Sequence, residues 1–165
     1  MGAVVDAVWL PVKDGNDTGL ELFRRHYSYR KSRDQYEMFN QARNRNMKLF
    51  VGPGEKLVLL TPDRRALFVW RKFISMDHQD GVNCAVFRNE GSSAGIASDL
   101  IRTADQIAWE RWPGQRLYTY VDPDKVKSRN PGYCFIMAGW RKCGVTKSGL
   151  LIFECVPEWV SDEVR

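Results

Sequence analysis

The chain has 165 residues, of which 44% are hydrophobic and 27% charged, and a net charge of +5. That size and apolar content suit one globular domain over residues 1–165 with one core, and with no apolar run near ~18 residues no membrane span is expected. The N-terminal MGAVVDAVWLPVKDG lacks a basic region and a cleavage-like site, so no signal peptide is expected, and Asp6 stands where N-myristoylation of Gly2 calls for Ser or Thr.

Cys84, Cys134, Cys143 and Cys155 form no C-x-x-C pair and show no metal-ligand spacing. They read as reduced, mostly buried thiols of a cytoplasmic protein, with no metal called for. The positive charge is concentrated. Residues 24–48 hold eight cations (Arg24, Arg25, Arg30, Lys31, Arg33, Arg43, Arg45, Lys48) against Asp34 and Glu37. Tyr27, Tyr29, Tyr36 and Phe39 are interleaved with them. Clustered cations beside aromatic faces suit a polyanion with stackable bases, hence DNA; a solvated charged surface is the other reading.

In chain order, the Val-rich alternation of residues 4–12 predicts a strand, with Pro11 marking an edge or an end. DGND predicts a turn, with Asp17 or Thr18 capping a helix over about 18–28 whose apolar face is Leu20, Phe23 and Tyr27. Residues 29–46 read as a short helix or an ordered loop. MKLFVGPGEKLVLLT predicts a hairpin or a bent strand, TPDRR a turn, ALFVWRKF and VNCAVFRN strands. Ile96, Leu100, Ile101, Ala104, Ile107 and Ala108 define one face of a helix over about 97–111, with Ser98 as N-cap and Pro113–Gly114 ending it. RLYTYV is a strand, VDPDKVKSRNPG a loop, YCFIMAGWRKCG a short helix ending at Gly139 or Gly144, and GVTKSGLLIFECV one or two strands, the later being LLIFECV. The order predicts an α/β (α+β) domain with a mixed, mostly antiparallel sheet flanked by helices.

Between VNCAVF and the 97–111 helix the chain places Gly91 to Ser98, small residues throughout except Ile96. A strand that ends in a small-residue loop and enters a helix presents backbone N–H groups and the positive end of a helix dipole, a setting for phosphate or pyrophosphate. The run is neither Walker A nor G-x-G-x-x-G, and an ordinary loop is the other reading.

The order of elements resembles the GNAT acyltransferase superfamily, in which the loop after the fourth strand holds the pyrophosphate of an acyl coenzyme A. AGWRKCG is similar to that superfamily's Gly-aromatic element, while E-G-S-S-A-G stands in place of its Arg/Gln-x-x-Gly-x-Gly/Ala signature. Over about residues 82–153, FRNEG, SDLI, RLYTYVDPDKVKS and NPGYCFIMAGWRKCG resemble the phage Mom-type DNA-modification proteins, which are GNAT-like and convert adenine in phage DNA to a carbamoylmethyl derivative that resists restriction.

The resemblance implies acetyl-CoA or another acyl-CoA as donor, and backbone N–H groups near Phe87–Asn89 as oxyanion donors. Phe87, Arg88, Asn89, Gly91, Ser92, Ser93 and Gly95 then bind the coenzyme, with Arg88 on a phosphate or, alternatively, in a surface ion pair. Asp122 orients or deprotonates the acceptor amine, or simply closes a turn before Pro123. Tyr133 gives a proton to the leaving thiolate, or packs the core. It lies two residues before the place usual in GNAT enzymes, which Phe135 occupies here. Ser98 joins the catalytic set. His26, Tyr27, Arg30, Lys31 and Arg33 bind the acceptor DNA. Glu90 is a base or a structural carboxylate. Trp109, Trp112 and Trp140 are expected to pack the core.

The expectation is therefore a phage-type, acyl-CoA-dependent transferase that modifies a DNA base, adenine first, in the host cytoplasm, with a homodimer compatible with the sequence. Two alternatives stand beside it. One is an N-acetyltransferase of a small amine, a modified nucleoside or a protein lysine. The other is a DNA-binding GNAT-like module without catalysis.

Overall fold

The computed structural model describes residues 7–26, 49–126 and 129–160. Its elements are β1 (Leu10–Val12), α1 (Asp17–Arg25), β2 (Glu55–Leu60), β3 (Ala66–Lys72), β4 (Val82–Asn89), α2 (Ala97–Arg111), β5 (Leu117–Val121), α3 (Tyr133–Met137), β6 (Arg141–Val145) and β7 (Leu151–Cys155). A 3₁₀ turn at Pro157–Trp159 follows. Most of the strand readings hold. The first residues of the expected 4–12 strand, the end of the 18–28 helix and the whole of the 29–46 segment lie outside the described residues.

The strands form a seven-stranded sheet in the order β1-β2-β3-β4-β5-β7-β6. The β4–β5 pair is parallel, and every other pairing is antiparallel. This is an α+β fold with a mixed, mostly antiparallel sheet flanked by helices, and it is consistent with the GNAT-like arrangement. Pro11 sits on the edge strand β1, where a missing ladder N–H is tolerated. MKLFVGPGEKLVLLT does not make a hairpin: residues 49–54 precede the single strand β2.

Both faces of the sheet are covered. On one, α2 and α3 pack Leu100, Ile101, Ala104, Ala108 and Phe135 against Phe68, Trp70, Val82, Leu117 and Phe153. On the other, α1 packs Leu20, Leu22 and Phe23 against Val58, Leu60, Leu67, Val69 and Val86. Burying each of the Leu, Ile, Val and Phe side chains contributes about 1.5–3 kcal/mol. Two buried indoles are satisfied by helix carbonyls: Trp9 Nε1 donates to Leu100 O at 2.9 Å and Trp70 Nε1 to Ala104 O at 3.0 Å. Trp140 and Trp112 are buried and Trp109 partly so, as expected.

Two caps differ from expectation. Asn16, not Asp17 or Thr18, caps α1, its side chain accepting from Gly19 N–H at 3.0 Å. In the run Asn-Asp-Thr all three side chains suit a cap, and the helix starts one residue earlier than the apolar pattern suggests. The N-cap of α2 is Ile96, with no side-chain cap bond, and Ser98 lies inside the first turn.

Candidate functional site: a cleft where two parallel strands part

β4 and β5 pair over only three registers, Val82↔Leu117, Asn83↔Tyr118 and Cys84↔Thr119. Beyond them the strands diverge. At the last register, Cys84 O accepts the Thr119 hydroxyl at 2.9 Å. On its other edge β4 carries a bulge: Val69 pairs with Val86 and Trp70 with Cys84, leaving Ala85 between them. A bulge bends the strand and increases its twist, which here accompanies its departure from β5. Backbone groups of β4 past Cys84 therefore have no ladder partner from β5 and face the gap.

The gap is a cleft of about 130 Å³ lined by Cys84 to Phe87, Thr119 to Val121, His26, Val126, Gly132, Cys134 and Phe135. α3 closes one side. Gly132 precedes it with φ +84°, and a Cβ there would meet the Phe153 ring, so glycine alone lets the NPG turn lie against β7. A larger cleft, about 580 Å³, lies at the opposite end of β4 against residues 72–81. None of the residues expected to act lines it, so the smaller cleft is the better candidate.

His26 is buried at 7% exposure and lines the cleft. Burial, and then the nearby Arg88 charge, hold its pKa down at about 4, so the imidazole is neutral at pH 7. Tyr133 begins α3 and is half exposed, beside the lining residues Cys134 and Phe135. Asp122 follows β5 directly, and its Oδ1 accepts Asp124 N–H at 3.0 Å, the turn chemistry noted as its alternative role. Ser98 is partly exposed in the first turn of α2. Tyr27, Arg30, Lys31 and Arg33 lie outside the described residues.

The small-residue loop turns inward on the protein's own acceptors. Asn89 Oδ1 takes Gly91 N–H at 3.1 Å and Ser92 N–H at 2.9 Å. Asp63, from the β2–β3 turn, accepts Ser93 N–H at 2.8 Å and the hydroxyls of Ser92 (2.9 Å) and Ser93 (3.2 Å). It also takes the Thr61 hydroxyl at 2.8 Å and Arg65 N–H at 3.2 Å. Some desolvation would raise the pKa of this exposed carboxylate, but these bonds, Ser93 N–H first among them, hold it well below the ordinary carboxylate range. Gly91, at φ +84°, makes the turn that allows this.

Glu90 organises the rim. Arg25 donates to both carboxylate oxygens at 2.8 Å, Arg88 Nε donates at 2.6 Å, and Arg65 donates twice to the Glu90 carbonyl at 3.0 and 2.7 Å. Arg88 Nη1 also reaches Arg25 O at 2.9 Å. Hydrogen bonding from Arg25 holds the Glu90 pKa at about 2, and Arg88 adds to it. Arg88 is thus in an ion pair, and Glu90 is an ionised structural carboxylate rather than a poised base.

The structure brings His26, Phe87, Arg88, Asn89, Tyr133 and the loop to one end of the sheet. Sequence reasoning missed Asp63, Arg65 and Thr119 there. The clustered turn signal TPDRR marked where Asp63 lies, but nothing local links it to Ser93, thirty positions on. Among the described residues no group of three His, Cys, Asp or Glu side chains is placed to hold a metal ion, and no helix is long and apolar enough to cross a membrane. No protein-family model and no curated protein matches the chain.

Proposed function

We propose that the chain is a phage-type, acyl-CoA-dependent transferase that modifies a base in DNA, adenine first, and so protects that DNA from restriction. The observation that carries this reading is the parting of parallel β4 and β5 beyond Cys84 and Thr119, with a cleft between them bordered by a buried neutral histidine. The sequence resemblance of residues 82–153 supports the choice of acceptor.

The coenzyme fits the cleft better than it fits the loop. The lining there is mostly apolar and suits a pantetheine arm, with Phe87 to Asn89 alongside. At the loop, Gly91, Ser92 and Ser93 N–H groups are already taken, and the Asp63 charge repels a phosphate. The first turn of α2 has no side-chain cap, so the N–H groups of Ala97 and Ser98 would meet the pyrophosphate, with Gly95 allowing close approach. When bound, an acyl-CoA supplies an activated thioester carbonyl.

The chain's own residues then have these roles. The exocyclic amine of adenine is unprotonated at neutral pH, so a neutral His26 that orients it suffices before attack. Asp122, in the turn that follows β5, would act on the acceptor side. Tyr133, half exposed at the start of α3 beside the lining residues Cys134 and Phe135, would be the proton donor to the leaving thiolate. The basic, aromatic 24–48 segment continues from α1, whose C-cap His26 lines the cleft, and would hold a strand from which the base is extruded.

One observation favours a second reading, a DNA-binding module without catalysis: Asp63 fills the loop expected to cradle the pyrophosphate. Calorimetric titration with acetyl-CoA and with a short DNA duplex separates the two. Heat from both ligands supports the transferase. DNA binding with no heat from acetyl-CoA supports the module, and acetyl-CoA binding without DNA affinity moves the acceptor to a small amine or a protein lysine.

A further inference from the structure

We propose that Arg25, Arg65 and Arg88, gathered around Glu90, form a seat for one phosphodiester of the acceptor DNA strand, an inference that rests on the DNA reading above. The three come from separate elements: the last turn of α1, the β2–β3 turn and the end of β4. Each commits two guanidinium nitrogens. Arg25 uses Nε and Nη2 on the Glu90 carboxylate, Arg88 uses Nε on Glu90 and Nη1 on Arg25 O, and Arg65 uses Nε and Nη2 on Glu90 O. One nitrogen of each, Arg25 Nη1, Arg88 Nη2 and Arg65 Nη1, takes no bond among the described residues. Three oriented guanidiniums around one carboxylate leave excess positive charge and unused donors, which suits a tetrahedral anion.

The side chains are reachable, with Arg25 49% and Arg88 31% exposed. Arg64, next to Arg65, is exposed, has no side-chain partner among the described residues, and sits at φ 61°, a left-handed conformation that a non-glycine residue adopts at some cost. The nearby carboxylates are accounted for: Asp63 and Glu90 are held by internal donors, and Glu21 acts electrostatically on Arg25. The coenzyme is the other possible source of a phosphate. Position favours DNA, because Arg25 immediately precedes His26 at the cleft and leads into the basic, aromatic segment.

The test measures binding of a fluorescent single-stranded DNA oligonucleotide over a range of salt, for the full chain, for Arg65→Gln, and for Arg25→Gln with Arg65→Gln. Acetyl-CoA affinity is measured in parallel, and thermal unfolding checks that each variant is folded. Arg65→Gln removes only bonds to an exposed carbonyl, so it keeps the test informative if the double variant does not fold. The expected result is a salt-dependence slope reduced by about 0.7 for the lost phosphate contact and an affinity lowered about tenfold at low salt, with acetyl-CoA binding unchanged. An unchanged slope overturns the seat while leaving the DNA reading intact. Loss of acetyl-CoA affinity instead overturns it in favour of a coenzyme phosphate. A wild-type chain that does not bind DNA overturns both the seat and the DNA reading.

Discussion

Ser93 donates its backbone N–H to the Asp63 carboxylate at 2.8 Å, so the loop between β4 and α2 is closed by an anion that belongs to the protein. The geometry is that of a small anion site, with a carboxylate in the place of a phosphate. Asp63→Asn removes the charge while keeping an acceptor oxygen. Acetyl-CoA affinity measured by calorimetry is expected to rise, by up to about tenfold, because a pyrophosphate then approaches α2 without repulsion. Asp63→Ala removes these bonds at a site that water reaches, and is expected to cost about 0.5–1.5 kcal/mol in urea unfolding.

The Thr119 hydroxyl closes the parallel ladder at Cys84 O. Thr119→Val is nearly isosteric but leaves that buried carbonyl without its donor. The expected cost is about 1–2 kcal/mol in denaturant unfolding, and any transferase activity should fall with it, because this bond holds the strands together at the point where the cleft begins.

His26 makes stability depend on pH. Its folded-state pKa, about 4, lies below the ordinary 6.5, so protons favour the unfolded chain. The stabilisation from keeping it neutral is full above about pH 6.5 and is lost as pH falls toward 4, a change of about 3 kcal/mol. Urea unfolding of wild type and His26→Gln at several pH values checks this: the variant should lose less stability over that window.

Asp105 acts in the opposite direction. It is buried on α2, Oδ2 accepts Trp140 Nε1 at 2.9 Å, and Oδ1 has no hydrogen-bond partner. Burial raises its pKa well above the ordinary 3.8, so the folded chain keeps a proton that the unfolded chain releases. Its contribution is full below about pH 4 and declines as pH rises from there toward the raised folded value. Asp105→Asn preserves an acceptor for Trp140 and is expected to be more stable than wild type at pH 8, with the difference shrinking toward pH 4.

Much of the fold was legible because strands such as ALFVWRKF and VNCAVFRN are bounded by turns, and because the apolar face of α2 repeats at helical spacing. The caps were not, since Asn16, Asp17 and Thr18 compete for one N–H and only the packed helix selects Asn16. For the candidate site, the residues singled out in the sequence gather at the end of the sheet where the cleft lies, but the electrostatics of the loop differ from expectation. Gly91 to Ser93 have the composition of an anion cradle, and they do hold an anion. The anion is Asp63, from a turn about thirty residues earlier, and that pairing is tertiary. Likewise Arg88 has the chemistry of a phosphate ligand, but its engagement by Glu90 depends on side-chain directions that residue types do not determine.

The central claim is tested most directly by mass spectrometry of nucleosides digested from plasmid DNA after the chain is expressed in a bacterium. The account predicts a new mass on deoxyadenosine with the wild-type chain, lost or strongly reduced in Asp122→Ala and Tyr133→Phe. Unmodified deoxyadenosine from cells holding well-expressed, folded protein would contradict it.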